Sequence, residues 1–246
     1  MIVDKVYKIS AFGSFSDINP SPENMIFLLD NFKEYGLIPS LVSEINIVAS
    51  VDGSQAPVQK QIQRLALLTS DNSEQIMIGS NRIDYTVTAT SDVNFSTDDI
   101  EKLNKKINNA FTIIFHQFNK KASRVALNTE SLIINLSKEE IENFTSKFAN
   151  PLTMYQKDLD EWNTHLMVRA EKEIEQSETL NVITNIAKVI YEQQNTDEKV
   201  FSEGFVVSLD INTIAENASQ RFSPENIEKF TKIASELWND IITELE

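Results

Sequence analysis

The chain of 246 residues has no cysteine, only two histidines and only five glycines. Without cysteine it can form no disulfide, use no thiol nucleophile and hold no thiolate-bound zinc or iron–sulfur cluster. The glycines are too scattered to form a loop that cradles phosphate, and the common glycine motifs of nucleotide-binding proteins and serine hydrolases are missing. The sequence therefore predicts no catalytic residue, no bound metal and no cofactor.

Long apolar runs are also lacking. No stretch approaches the roughly 20 apolar residues that a helix needs to cross a bilayer. The first residues, MIVDKVY, do not show the basic region and apolar region of a secretory signal. We therefore expect a cytoplasmic protein that does not bind membranes.

Positive charge is scarce: 22 Lys and Arg stand against 37 Asp and Glu, which gives a net charge of −15. A protein that binds duplex nucleic acid needs a basic surface to displace counterions from the phosphates, so we do not expect direct duplex binding. The excess is uneven, because residues 1–123 carry a net −3 and residues 124–246 a net −12. This distribution favours a protein partner of basic charge.

The chain repeats a local pattern, since FSTDDIEKL at 95–103 returns as FSPENIEKF at 222–230. Four serines precede an acidic or amide residue at the third position and then an apolar-periodic run: Ser21, Ser96, Ser137 and Ser223. This capping-box pattern predicts four helices, of which the second and the fourth are long and amphipathic. We interpret the chain as two repeats, 1–120 and 121–246, which form two domains or one merged domain.

Between the predicted helices, apolar and polar residues alternate, most regularly at 81–89 and 201–212. Such alternation is typical of antiparallel strands with one covered face. Further strands are predicted at 3–12, 41–50, 61–69, 73–79, 123–135, 163–175 and 180–192. We predict an α+β fold in which a unit of strand, helix, three or four antiparallel strands and long helix is duplicated about a pseudo-two-fold axis. The helices would pack on one side of one or two sheets.

Two groups of residues are candidates for a binding site. Arg82 and Asp84 lie on the same face of a predicted strand, next to Gly79, which lets another backbone approach. The second group combines aromatic, imidazole and guanidinium side chains in one region: Tyr155, Trp162, His165 and Arg169. These residue types are enriched at binding hot spots. The structural alternatives are a surface ion pair and a tryptophan at the edge of the core.

Part of the sequence resembles an uncharacterised, sporadically distributed family of bacterial proteins of about this length. The resemblance rests on QIMIGSNRIDY at 75–85 and KASRVAL at 121–127, which flank the long predicted helix, and on LDI at 209–211 before the helix at 223–245. It would cover most of residues 40–246. The family has no established activity, so the resemblance implies no catalytic residue. Its patchy distribution resembles that of genes on mobile elements, including phage-conflict loci.

These observations favour a non-enzymatic protein that binds another macromolecule through an exposed sheet face or through its acidic C-terminal half. A second hypothesis is a small-ligand binder, in which a long helix grips a curved sheet over an apolar cavity lined by residues such as Tyr85, Phe111 and Phe115. A third is an enzyme that uses only Asp, Glu, Arg and Tyr, with a hard cation held by carboxylates. Exposed strand edges in such a fold can also pair in a symmetric homodimer.

Overall fold

The computed structural model describes residues 2–48, 58–90, 99–149, 161–194 and 199–245. These residues form a mixed α+β fold of nine strands and four α-helices, as the alternation and the caps predict. The strands are β1 (Ile2–Phe12), β2 (Ile38–Val48), β3 (Val58–Leu68), β4 (Glu74–Ile78), β5 (Arg82–Thr88), β6 (Arg124–Ile133), β7 (Asn163–Glu173), β8 (Ser177–Gln194) and β9 (Lys199–Thr213). The helices are α1 (Pro22–Phe32), α2 (Ile100–Gln117), α3 (Lys138–Phe148) and α4 (Pro224–Leu245).

All nine strands form one antiparallel sheet, in the order β2-β3-β4-β5-β1-β6-β9-β8-β7. The strands that open the two halves of the chain, β1 and β6, pair with each other in the middle of the sheet. Their outer neighbours are β5 and β9, and the two edges are β2 and β7. The prediction of antiparallel strands is confirmed, and the structure joins them in a single sheet.

The helices begin mostly where the serines predict. The Ser21 hydroxyl accepts a hydrogen bond from the amide of Asn24 at the start of α1, where Pro22 takes the first helical position. Ser137 and Glu140 form the complete capping box at the start of α3. Ser96 lies outside the described residues, and α2 has Asp99 at its N-cap position without a side-chain cap.

Alternate residues of the strands form the face that packs against the helices, which we call the helical face. Tyr7 of β1 contacts Trp238 of α4, with ring centroids 5.8 Å apart. Phe205 of β9 stacks on Phe144 of α3 at 4.3 Å. Lys106 of α2 forms an ion pair with Glu74 of β4 at 2.6 Å.

None of the helices in the described part of the chain is long and apolar enough to cross a membrane.

Two ion pairs with largely buried arginines stabilise the fold, one between a loop and the sheet and one between the neighbouring strands β2 and β3. Arg221 donates to both carboxylate oxygens of Glu178 at 2.6 and 2.9 Å, and its hydrogen bond is the main reason why the pKa of Glu178 is lowered. Arg64 donates to Glu44 at 2.7 Å. Burial acts to raise the pKa of Glu44, but hydrogen bonds from Ser80 and Arg64 outweigh it and lower the pKa. Both pairs therefore remain charged inside the fold.

Candidate functional site on the open face of the sheet

The candidate site is the face of the sheet opposite the helices, which we call the open face. Strand pairing arranges its side chains in rows that cross the sheet. The first row consists of Arg82, Phe12 and Arg124, on β5, β1 and β6. The second row crosses six strands from β5 to β7 and consists of Asp84, Ser10, Ala126, Asn212, Asn181 and Arg169. Most of these residues are polar, whereas a sheet face that packs against other elements is mostly apolar.

The first row is a stack of two guanidinium groups on one aromatic ring. The guanidinium carbons of Arg82 and Arg124 lie 5.8 and 4.8 Å from the centroid of Phe12, within the range of cation–π attraction. The Nε of Arg82 is 2.7 Å from Asp84, and the Nε of Arg124 donates to the carbonyl of Thr213 at 3.1 Å. These contacts fix both guanidinium groups, while no other described residue is bonded to their terminal nitrogens. Paired terminal nitrogens of this kind suit a carboxylate or a phosphate.

The second row contains buried polar groups. Ser10 is fully buried and donates to Asp84 at 2.6 Å. The amide nitrogen of Asn212 donates to Asp210 at 2.9 Å, and that of Asn181 donates to Asn212 at 3.3 Å. The buried Oδ1 of Asn181 has no hydrogen-bond partner among the described residues. Because buried acceptors are nearly always satisfied, this oxygen is a place where an N–H group of a bound segment would be stabilised.

Four of the six residues that the sequence singles out lie on this face. Arg82 and Asp84 form an ion pair, the structural alternative to a binding role, with their side chains 47% and 12% exposed. Arg169 lies in the same row as Asp84, but five strand spacings separate them, about 24 Å. His165 lies four residues before Arg169 on β7, and its Nδ1 lies 2.7 Å from the Oδ1 of Asn185.

The structure does not bring the second predicted group together. Trp162 lies on the helical face, where its ring centroid is 5.5 Å from that of Phe205, and it packs against the core. His165 is three residues further along, so the alternation of the strand points it to the opposite face. Tyr155 lies outside the described residues.

Sequence reasoning missed several residues of the site. Phe12 and Arg124 join Arg82 only because β1 pairs with both β5 and β6. A weak signal was available in β9, where Asp210 and Asn212 occupy alternate positions, and in β8, where Asn181 and Asn185 fall on the same face of the strand. Polar residues at every second position indicate which face of a strand remains free of the core.

Other parts of the described surface have fewer features that indicate a binding site. Grooves of about 460 to 590 Å³ occur at the surface, and one of about 480 Å³ is lined by lysines of α2, Lys102, Lys105 and Lys106. The described residues contain no group of three or more His, Asp or Glu that could hold a metal ion.

Comparison of the chain with protein-family models gave no match, and searches among curated proteins and solved structures gave none either. The resemblance to a bacterial family therefore stays a prediction.

Proposed function

We propose that this chain is a non-enzymatic cytoplasmic protein whose open face binds a segment of another protein. The observation that carries the proposal is the second row, in which three polar residues, Asp84, Ser10 and Asn212, are buried. Burying polar groups is costly unless each finds a partner. The amide oxygen of Asn181 has none among the described residues. A bound segment would supply the missing donor.

The charges suggest how a partner would be recognised. The net −12 of residues 124–246 attracts a basic protein over a distance and speeds the encounter. At contact, Arg82 and Arg124 would receive a carboxylate of that partner, because a held guanidinium group makes short and directional bonds to carboxylates. We therefore infer a partner that is basic overall and carries an acidic residue at the point of docking.

The same proposal includes an origin by duplication. It is supported by the neighbours of the two central strands, since β1 lies beside β5, the last strand of the first half, and β6 beside β9, the last strand of the second. The helices that follow those two strands, α2 and α4, also contact each other. A pseudo-two-fold axis would pass between β1 and β6. Superposing the two halves of an experimental structure tests this, and a poor fit of β1 and β5 on β6 and β9 would refute it.

The test of function is affinity purification of the tagged protein from its host at native level, with mass spectrometry. Arg82→Glu and Arg169→Glu alter the open face, and Lys232→Glu is the matched control, because it changes charge equally on an exposed position of α4. We expect the wild type and Lys232→Glu to retain the same stoichiometric partner and both open-face variants to lose it. Circular dichroism must show that all variants fold. A partner retained by every folded variant, or no partner at all, contradicts the proposal.

No observation favours the small-ligand hypothesis. Tyr85, Phe111 and Phe115 are each about 1% exposed and pack within the core. The grooves described above are lined by other residues.

A further inference from the structure

β7 is an edge strand with one paired side. Among the described residues it pairs only with β8, and it is the last strand of the sheet that they form. Three successive apolar side chains in its middle are exposed: Leu166 by 47%, Met167 by 46% and Val168 by 61%. A long exposed apolar edge is a template for adding another strand.

The opposite edge, β2, also exposes apolar side chains, Ile38 by 49%, Leu41 by 53% and Ile45 by 62%, but two features obstruct the addition of a strand. It contains Pro39, which has no N–H to donate to a further strand, and α1 contacts it. The structure therefore leaves β7 as the edge that another strand can extend.

We propose that β7 pairs antiparallel with β7 of a second copy of this chain, across a two-fold axis at Val168. Val168 is the central residue of the strand, so this register sets all eleven residues of each strand opposite one another. The apolar pairs are then Val168 with its own copy and Leu166 with Ala170. Pairs of donors with carboxylates lie further out: His165 opposite Glu171, and Asn163 opposite Glu173.

The charges along β7 favour this register over its neighbours. With a two-fold axis perpendicular to the sheet, one residue of β7 lies opposite its own copy, because residues opposite each other must point to the same face. Each possible register is therefore identified by the residue at the axis. An axis at Met167 would place His165 opposite Arg169, so that two donor groups face each other. An axis at Arg169 would place that guanidinium opposite its own copy, which is destabilising. An axis at Ala170 would set Arg169 opposite Glu171 but would pair only residues 167–173 of each strand. Only the axis at Val168 pairs all eleven residues, sets His165 opposite Glu171 and keeps an apolar pair at the centre.

The absence of cysteine makes the register directly testable. Directly opposite residues of antiparallel strands have Cα atoms about 4.5–5.5 Å apart, a separation that a disulfide can bridge. We expect Val168→Cys to give a covalent dimer on mild oxidation. Met167→Cys should cross-link far less, because it would lie opposite Arg169. Leu166→Cys and Ala170→Cys should cross-link with each other when mixed, and much less when each is alone.

The mass in solution tests the dimer itself. Light scattering during size exclusion should give twice the 27.9 kDa of one chain for the wild type. Val168→Lys should give the mass of one chain with an unchanged circular dichroism spectrum. Ile190→Lys is the control, because Ile190 is an equally exposed apolar residue, 66%, on β8 and outside the strand that forms the proposed interface; it should remain dimeric. A wild type of single-chain mass at every concentration overturns the proposal, as does a dimer that Val168→Lys leaves intact. Cross-linking through Met167→Cys in preference to Val168→Cys overturns the register.

Discussion

The ion pair between Arg221 and Glu178 allows a strong prediction about stability. Their side chains are only 11% and 6% exposed, and two hydrogen bonds join them. Arg221 also donates to the carbonyls of Ser123 and Asn217, so it holds the segment before α4 against the sheet. Replacing Arg221 by methionine keeps the volume but leaves the Glu178 carboxylate buried without its counterion.

The expected cost is large. Removing one partner of a buried pair typically costs about 3–5 kcal/mol, because the other charge remains uncompensated. A domain is stable by about 5–15 kcal/mol, so this one change would remove a large share of the free energy of unfolding. With about 2–4 °C per kcal/mol for a chain of 150–250 residues, the melting temperature should fall by roughly 6–20 °C.

Urea unfolding followed by circular dichroism and by the fluorescence of the two tryptophans measures this cost. The double variant Glu178→Leu with Arg221→Met should lose much less than the sum of the single changes, because it removes both charges together. Arg221→Lys is the matched control, which keeps the charge but not the two parallel bonds, and it should lie between the wild type and Arg221→Met. A loss below about 1 kcal/mol for Arg221→Met, or additive losses in the double variant, would refute the reasoning.

The ion pair between Arg221 and Glu178 should also make the free energy of unfolding depend on pH. Because the pKa of Glu178 is lowered in the folded protein, the pair contributes fully above the unfolded pKa of about 4.3. Its contribution declines as the pH falls through the folded pKa. The difference in unfolding free energy between the wild type and the double variant should therefore shrink in acid.

Three further predictions concern single side chains. Hydrogen bonds from Thr69 and Ser73 lower the pKa of Asp71 to about 2, so the advantage of the wild type over Asp71→Asn in urea midpoint should be full above pH of about 4 and should vanish as the pH approaches 2. Gly204→Ala should cost about 1–3 kcal/mol in urea, since its Cβ would lie 2.5 Å from a backbone carbonyl, whereas Gly36→Ala, where only a φ of 73° is unfavourable, should cost about 1 kcal/mol. Tyr7→Phe removes hydrogen bonds of 2.7 and 2.8 Å from the core, and we expect a loss of about 1–2 kcal/mol in the same assay.

Most secondary structure could be predicted because its signals are local. The alternation at 81–89 and 201–212 corresponds to β5 at Arg82–Thr88 and β9 at Lys199–Thr213. Each helix with a described serine begins directly after that serine. The order of the strands has no such local signal. β1 meets β6 more than a hundred residues later in the chain, and only burial of the shared core decides that pairing.

The residues of the candidate site also differ in whether a local sequence signal predicts their position. Arg82 and Asp84 are two residues apart on one strand, so their shared face follows from the sequence alone. Trp162 and His165 are three residues apart, so the same rule places them on opposite faces of an extended strand, but which of them faces the helices depends on how β7 packs. Phe12 and Arg124 required the register between strands, which turn and core residues set together.

This dependence on register has a consequence for function. The second row of the open face exists only while five successive strand pairings keep their alignment, and the first row depends on two of them. A slip of one residue moves a whole strand's side chains to the other face. A slip of β6 against β1 by one residue would turn Arg124 towards the helices and bring Val125, now fully buried, to the surface. The apolar residues of the helical face therefore hold the polar rows in place. If the open face binds a partner as proposed, substitutions in the core beneath β6 should weaken that binding, although the core lies on the opposite face of the sheet.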